Sequence, residues 1–401
     1  MFACAEGTPF PDDFLFGVAS SAHQTEGGNT ASDWWRLEHR PGTPLAEPSG
    51  DAADSYHRWP VDMDLLAELG FTDYRFGIEW ARIEPEPGRF SRAALAHYRR
   101  MVEGAVERGL RPMVTLLHHT VPRWFAERGG WTAPDAADRF ARYATVAAPV
   151  LGDGVRHVCT IAEANLLAAR STPEPFPQGT GFPLPATGAT EALIESHRAA
   201  VAAVKAVSPA IRSGWSVAVQ GYQPASGTGQ HAAAYRRPRE DVFIEAARAD
   251  DWIGVQAGSR TRVGPLGPLP VPPAAETTLT GEEYYPAALG RALRHTAALV
   301  DTPIIVTGHG IATREDHRRV AYTHRALQDL ARALADGLDI RGYLHRSALD
   351  GYEWGSHRPA FGLIAVEPHS FLRVPKPSAH WLGRIARSRR LPDPRPPAQD
   401  D

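Results

Sequence analysis

The chain has little cysteine, almost no lysine and no long apolar run, and each shortage excludes a class of protein. Two cysteines occur in 401 residues, Cys4 and Cys159. A disulfide framework is therefore not expected, and a reducing compartment suits the chain better than an oxidising one. No stretch reaches the roughly 20 apolar residues that span a bilayer. The start, MFACAEGTPFPDDF, has neither a basic first segment nor a long apolar core, so no signal peptide is visible and a cytoplasmic location is expected. A net charge of −3 is too small for a surface that holds nucleic acid or membrane. Lysine is confined to Lys205 and Lys376, and arginine supplies the remaining basic charge. No Gly-rich phosphate loop follows a strand, and no histidines, cysteines or aspartates stand at the close spacings of metal ligands. Neither a metal nor another cofactor is expected.

What is present is alternation. Short runs rich in β-branched and aromatic residues occur at Phe14–Ser20, Asp73–Trp80, Arg111–Leu117 and His157–Glu163. Four more follow at Ser213–Gln220, Asp251–Gly258, Pro303–Gly310 and Arg341–Leu349. Between them lie segments of helical period, such as Ala93–Arg108, Ala136–Leu151, Thr190–Val207 and Arg314–Asp336. Eight strands alternating with helices predict a parallel α/β sheet, and eight strands close a barrel. No repeat or linker divides the chain. The expectation is one (β/α)8 TIM-barrel domain over residues 1–390, with a Pro- and Asp-rich tail, 391–401, left disordered. The Pro/Gly-rich stretches 171–189 and 261–275 follow the fourth and sixth strands, on the face where barrels bind ligands.

In a barrel, side chains at the C-terminal ends of the strands converge on one pocket. In chain order these are Gln24, Arg75, His118 with His119, Glu163, Gly308 with His309, and His345 with Arg346. Glu353 and Trp354 come next. Polar groups beside tryptophan suit a sugar, whose hydroxyls need hydrogen bonds and whose apolar face stacks on rings.

Several segments resemble the β-glycosidases of glycoside hydrolase family 1. They are FLFGVASSAHQTEGG (14–28), ADSYHRW (53–59), YRFGIEWARIEPEPG (74–88) and the Gly129-Gly130-Trp131 turn. GIATREDHRRVAY (310–322) and GYLHRSALDGYEW (342–354), with Phe361-Gly362-Leu363 behind it, complete the set. The resemblance runs nearly end to end and implies the barrel fold and a glycoside substrate. In that family the fourth strand ends in Asn-Glu-Pro, whose Glu is the acid/base, and the seventh in Thr-Glu-Asn-Gly, whose Glu is the nucleophile. Here the fourth strand reads Thr160-Ile161-Ala162-Glu163-Ala164, which implies an acid/base role for Glu163. The seventh reads Thr307-Gly308-His309-Gly310, which puts Gly308 at the nucleophile position.

The other departures surround the same place. The family's His-Trp-Asp is His118-His119-Thr120, its Asn-Tyr-Tyr is Gln256-Ala257-Gly258, and Arg346 stands where it has tryptophan. Retained are Gln24, His118, Glu353 and Trp354, with Arg75 and Glu163. By this resemblance the substrate-binding set is Gln24, Arg75, His118, His119, Gln256, Arg346, Glu353 and Trp354. His309 is a candidate base or a surface imidazole. Arg346 either meets an acidic ligand group or joins an internal ion pair, as does Arg75. His345 is expected to face the helices, and Glu79 to be structural.

Three functions remain open. The first is an enzyme that keeps Glu163 and runs non-standard acid/base chemistry on a glycoside or another small molecule. The second is a sugar- or metabolite-binding protein without turnover. The third is a β-glucosidase with a relocated nucleophile such as Glu353.

Overall fold

The computed structural model describes residues 7–171 and 183–393. Nine parallel strands form its main sheet: β1 (Leu15–Ala19), β2 (Asp73–Gly77), β3 (Arg111–His118), β4 (His157–Ala162), β5 (Arg212–Gly214), β6 (Ser216–Ala218), β7 (Ile253–Gln256), β8 (Ile304–His309) and β9 (Ile340–Arg346). Their hydrogen-bonded order is β5-β4-β3-β2-β1-β9-β8-β7-β6. The two ends of that order, β5 and β6, are halves of the predicted fifth strand, parted at Trp215. The first half pairs with β4 and the second with β7, so the sheet returns on itself as a TIM barrel.

The helices follow from pattern and caps. Helix α1 (Ser55–Leu69) stops at Gly70, whose φ of +102° and amide bonds back to Leu66 and Ala67 make a left-handed C-cap that favours glycine. Ser91 caps α2 (Arg92–Glu107) by accepting from the amide of Ala94. This helix buries Ala94, Tyr98, Met101, Val102 and Ala105, one stripe at helical spacing against the sheet. Helix α3 (Ala164–Arg170) starts directly after Glu163, while α4 (Thr187–Val207), α5 (Ala288–Leu299) and α6 (Asp316–Ala335) complete much of the outer layer.

Two apolar layers result. A small cluster that includes Leu15, Ala19, Met113, Cys159, Ile305 and Leu344 fills the barrel, and a larger one lies between sheet and helices. The polar side chains of the candidate site gather at the C-terminal mouth, while a second cavity at the N-terminal face is lined by His157, Arg212, Asp251 and Arg341.

The predicted tail boundary needs correction. Leu391 is buried in the apolar layer between sheet and helices, and Arg390–Pro392 pairs antiparallel with Gly7–Pro9. Residues 394–401 lie outside the described residues, as do Cys4 and most of the 171–189 stretch.

Candidate active site

The mouth holds a pocket of about 420 Å³, part of it open to solvent, walled by residues from most of the strand ends. At its outer end a short helix after β1 presents Gln24. Ser21 Oγ donates to Gln24 Oε1 at 2.7 Å and so fixes the amide, whose Nε2 donates to Glu353 Oε2 at 2.9 Å. Arg346, from the end of β9, donates to the same oxygen at 2.6 Å and lies 4.1 Å over the ring of Phe361. Of the two alternatives for Arg346, the internal ion pair is the one formed. Burial pushes the Glu353 carboxyl up, against the pull of Arg346.

Trp354 forms the adjacent wall in a ring cluster. It stacks on His23 at 5.6 Å and 12° and meets Trp34 at 4.9 Å, with the Arg170 guanidinium 5.2 Å over it. Trp34, His23 and Arg170 were not among the predicted site residues. His23 stands beside Gln24 in the quoted segment 14–28 and Trp34 in the Asp33-Trp34-Trp35 run, but nothing local links either to position 354.

At the inner end Glu163 follows β4 with φ +52°, its amide donating to Ser216 Oγ at 3.1 Å. His119 and Trp354 also have positive φ, at +65° and +50°. Two of these non-glycine residues, Glu163 and Trp354, line the pocket and His119 bonds the first of them, and strained backbone often collects at functional sites. Glu163 Oε2 accepts from His119 Nε2 at 2.6 Å, and His118 Nε2 lies 3.8 Å away. Burial alone would raise this carboxyl. The hydrogen bond from His119 and the nearby His118 imidazole outweigh it and hold the group well below the usual carboxylate range. Burial pushes the two imidazoles down, His118 to about 4 and His119 to about 3. At neutral pH the arrangement is an ionised carboxylate facing two neutral imidazoles. It can take a proton, and it holds none to give.

Position 308 has no side chain, yet the space beside it is filled. A Cβ placed on Gly308 would lie 2.5 Å from Gln256 Oε1. Ser216 Oγ anchors that amide by accepting from Gln256 Nε2 at 3.0 Å. Arg75 lines the same end, buried to 2 % exposure, and its Nε and Nη1 meet no acceptor among the described residues.

The structure does not bring His309 to the pocket. Side chains alternate along a strand, so with Gly308 turned to Gln256 the next residue faces the helices. His309 is 1 % exposed, stacks on Tyr322 of α6 at 5.3 Å and bonds Tyr343 Oη at 2.9 Å. His345 lies in the same outer layer, 3.3 Å from that hydroxyl. Glu79 caps a short helix by accepting from Ala81 N at 3.2 Å and binds Thr120 Oγ1 at 2.8 Å.

His118, His119 and Glu163 offer three potential metal ligands within 4.8 Å of one another, a grouping that the sequence spacing hid. Metal-bound histidines normally donate their second ring nitrogen to an acceptor. Here Nδ1 of both has no partner among the described residues, so the second shell of a metal site is not built.

The model of glycosyl hydrolase family 1 matches residues 6–246 and 267–391. The chain belongs to that family. A solved β-glycosidase, BGL167, is 42% identical, superposes with a TM-score of 0.89, and covers 97% of this chain with 100% of its own length. The 1,4-β-D-glucan glucohydrolase of Thermotoga neapolitana is 26% identical over 96% of this chain and 99% of its own. At the same identity, a rice (Oryza sativa subsp. japonica) relative described as probable inactive β-glucosidase 14 covers 96% of this chain and 92% of its own. Among the described residues no helix is long and apolar enough to cross a membrane.

Proposed function

We propose that this family 1 protein does not run the covalent double displacement of a retaining glycosidase, and that Glu163 serves as a general base on a bound glycoside or related small molecule. The observation that carries the reading is the pairing of a Glu163 held by His119 at 2.6 Å with a position 308 that has no carboxylate and a neutral Gln256 amide beside it. Retaining chemistry needs two carboxyl groups about 5–5.5 Å apart, one of them holding a proton. Glu353 is a poor substitute nucleophile, because Arg346 and Gln24 already donate to its Oε2.

A base without a nucleophile suits transfer from a donor that carries its own leaving group. With an α-glucosyl fluoride, the C–F bond breaks and its electron pair leaves with fluoride. The acceptor hydroxyl forms the new C–O bond, and its proton passes to Glu163. The second reading, binding without turnover, is favoured by the Gln256 amide in the space beside Gly308 and by the relative described as probably inactive.

The test is product formation. Aryl β-glucoside hydrolysis is expected to be negligible, while α-glucosyl fluoride with an alcohol acceptor gives detectable β-glycoside. Ordinary aryl-glucoside turnover, on the order of 10 per second, would overturn the reading. No transfer from the fluoride would favour the binding protein.

A further inference from the structure

Arg75 has a buried charge and unused donors at the inner end of the pocket. Nε and Nη1 have no acceptor among the described residues, and the guanidinium is 2 % exposed. The neighbouring carboxylates are engaged elsewhere. Glu163 accepts from His119 at 2.6 Å, and Glu353 accepts from Arg346 at 2.6 Å and Gln24 at 2.9 Å. Gln256, beside Gly308, offers an amide and no charge. Against its burial, the Cys159 thiol and the Glu163 charge favour the guanidinium, but two open donors on a buried guanidinium remain costly, and its planar fork matches the two oxygens of a carboxylate. The outer end, with Gln24, Glu353 and the Trp354 ring, suits hydroxyls and a sugar face.

We infer that the ligand of this pocket is a sugar acid, its carboxylate seated on Arg75 and its hydroxylated face against the Gln24–Trp354 wall. This rests on the reading that position 308 supplies no carboxylate, and it deepens that reading by naming the substrate class. The same carboxylate chemistry has a second source, a small free anion bound beside a neutral sugar.

Calorimetric titration of the full chain with glucose, glucuronate, gluconate, and glucose plus formate separates these cases. At least one of the two sugar acids is expected to bind about tenfold or more tighter than glucose. Arg75→Gln should remove that preference, so that the sugar acids and glucose bind within about threefold of one another. A rise in glucose affinity with formate, lost in Arg75→Gln, would support the assignment with the carboxylate on a separate anion. Equal binding of acids and glucose without a formate effect overturns the inference, as does a preference that survives Arg75→Gln or an absence of all binding. If Arg75→Gln does not fold, Arg75→Lys keeps the charge and loses the fork, and it must still cut the preference. The aryl-glucoside assay addresses the loss of hydrolysis independently, so failure of either reading is visible apart from the other.

Discussion

The two ends of the pocket are built by opposite rules. Among the described residues, Gln24, Glu353 and Arg346 at the outer end satisfy one another, and none leaves a buried side-chain donor or acceptor unpaired. Among the same residues, Arg75 at the inner end has two unused N–H groups, and His118 and His119 each have an unpartnered Nδ1. Buried polar groups are almost always partnered in folded proteins. The outer end is thus complete without a ligand, whereas the inner end has polar capacity that a ligand would fill. Arg346 sharpens the contrast, since it engages the carboxylate that the family resemblance assigns to sugar hydroxyls.

The largest effect that tests this contrast is on Glu163. General acid–base groups contribute typically 10²–10⁴-fold. Glu163→Gln keeps the shape and loses the base, so transfer from α-glucosyl fluoride should fall by about that factor. Binding at the Gln24–Trp354 wall should persist. Undiminished transfer would mean that the inner end performs no chemistry.

Gly308→Glu comes next, because it would return a carboxylate to the inner end and give Arg75 a partner. Its Cβ lies within 2.5 Å of Gln256 Oε1, so the amide must swing away from Ser216. Ala162, Ala257 and Arg346 also do not supply the contacts that the family places here. Preorganised donors are worth roughly 3–4 kcal/mol of barrier each. Aryl-glucoside hydrolysis is therefore expected to stay below about a thousandth of an ordinary enzyme's rate. Vigorous hydrolysis would instead show an inner end intact except for one side chain.

A smaller change tests the outer end. Arg346→Met leaves Glu353 with Gln24 as its remaining side-chain donor. Breaking a buried pair commonly costs 3–5 kcal/mol, but a third of the Arg346 side chain is solvent-exposed, so about 2 kcal/mol is expected in chemical denaturation. No loss would mean that the outer network is not tightly closed.

Much of this was legible before the fold was known, and the failures share a cause. The eight predicted runs are the barrel strands, because buried parallel strands are continuous apolar segments bounded by turns. Gln24, Arg75, Glu163 and Glu353 fall together because a barrel converges its strand ends. Of the two readings of His309, candidate base or surface imidazole, neither fits a ring that is 1 % exposed behind the strand. The alternation that turned His345 outward applies to it too, but register irregularities between Val306 and His309 obscure the count along β8. Gln256 as the group filling the space beside Gly308, and Arg170 over Trp34 and Trp354, depend on side chains meeting across long sequence separations. Hydrophobic period carries no information about such contacts.

His309 supplies a prediction of another kind, a dependence on pH. Desolvation is the cause that lowers it, to about 3, from an ordinary value near 6.5. Between those values the unfolded chain binds a proton that the folded imidazole refuses, so this residue lowers stability as pH falls from about 6.5 towards 3. The full slope for one such group is about 1.4 kcal/mol per pH unit. The whole protein need not show it, because burial raises Glu79 and Glu240 to about 8, and their contribution has the opposite sign over part of this range. A difference between variants isolates the histidine. His309→Phe keeps a ring against Tyr322 and loses the titration. Its stability relative to the parent, from denaturant midpoints at pH 7, 5.5 and 4.5, should therefore improve steadily with acid. A constant difference would mean that His309 reaches solvent and titrates normally. The imidazole would then again be open to the role of base that its place behind β8 denies it.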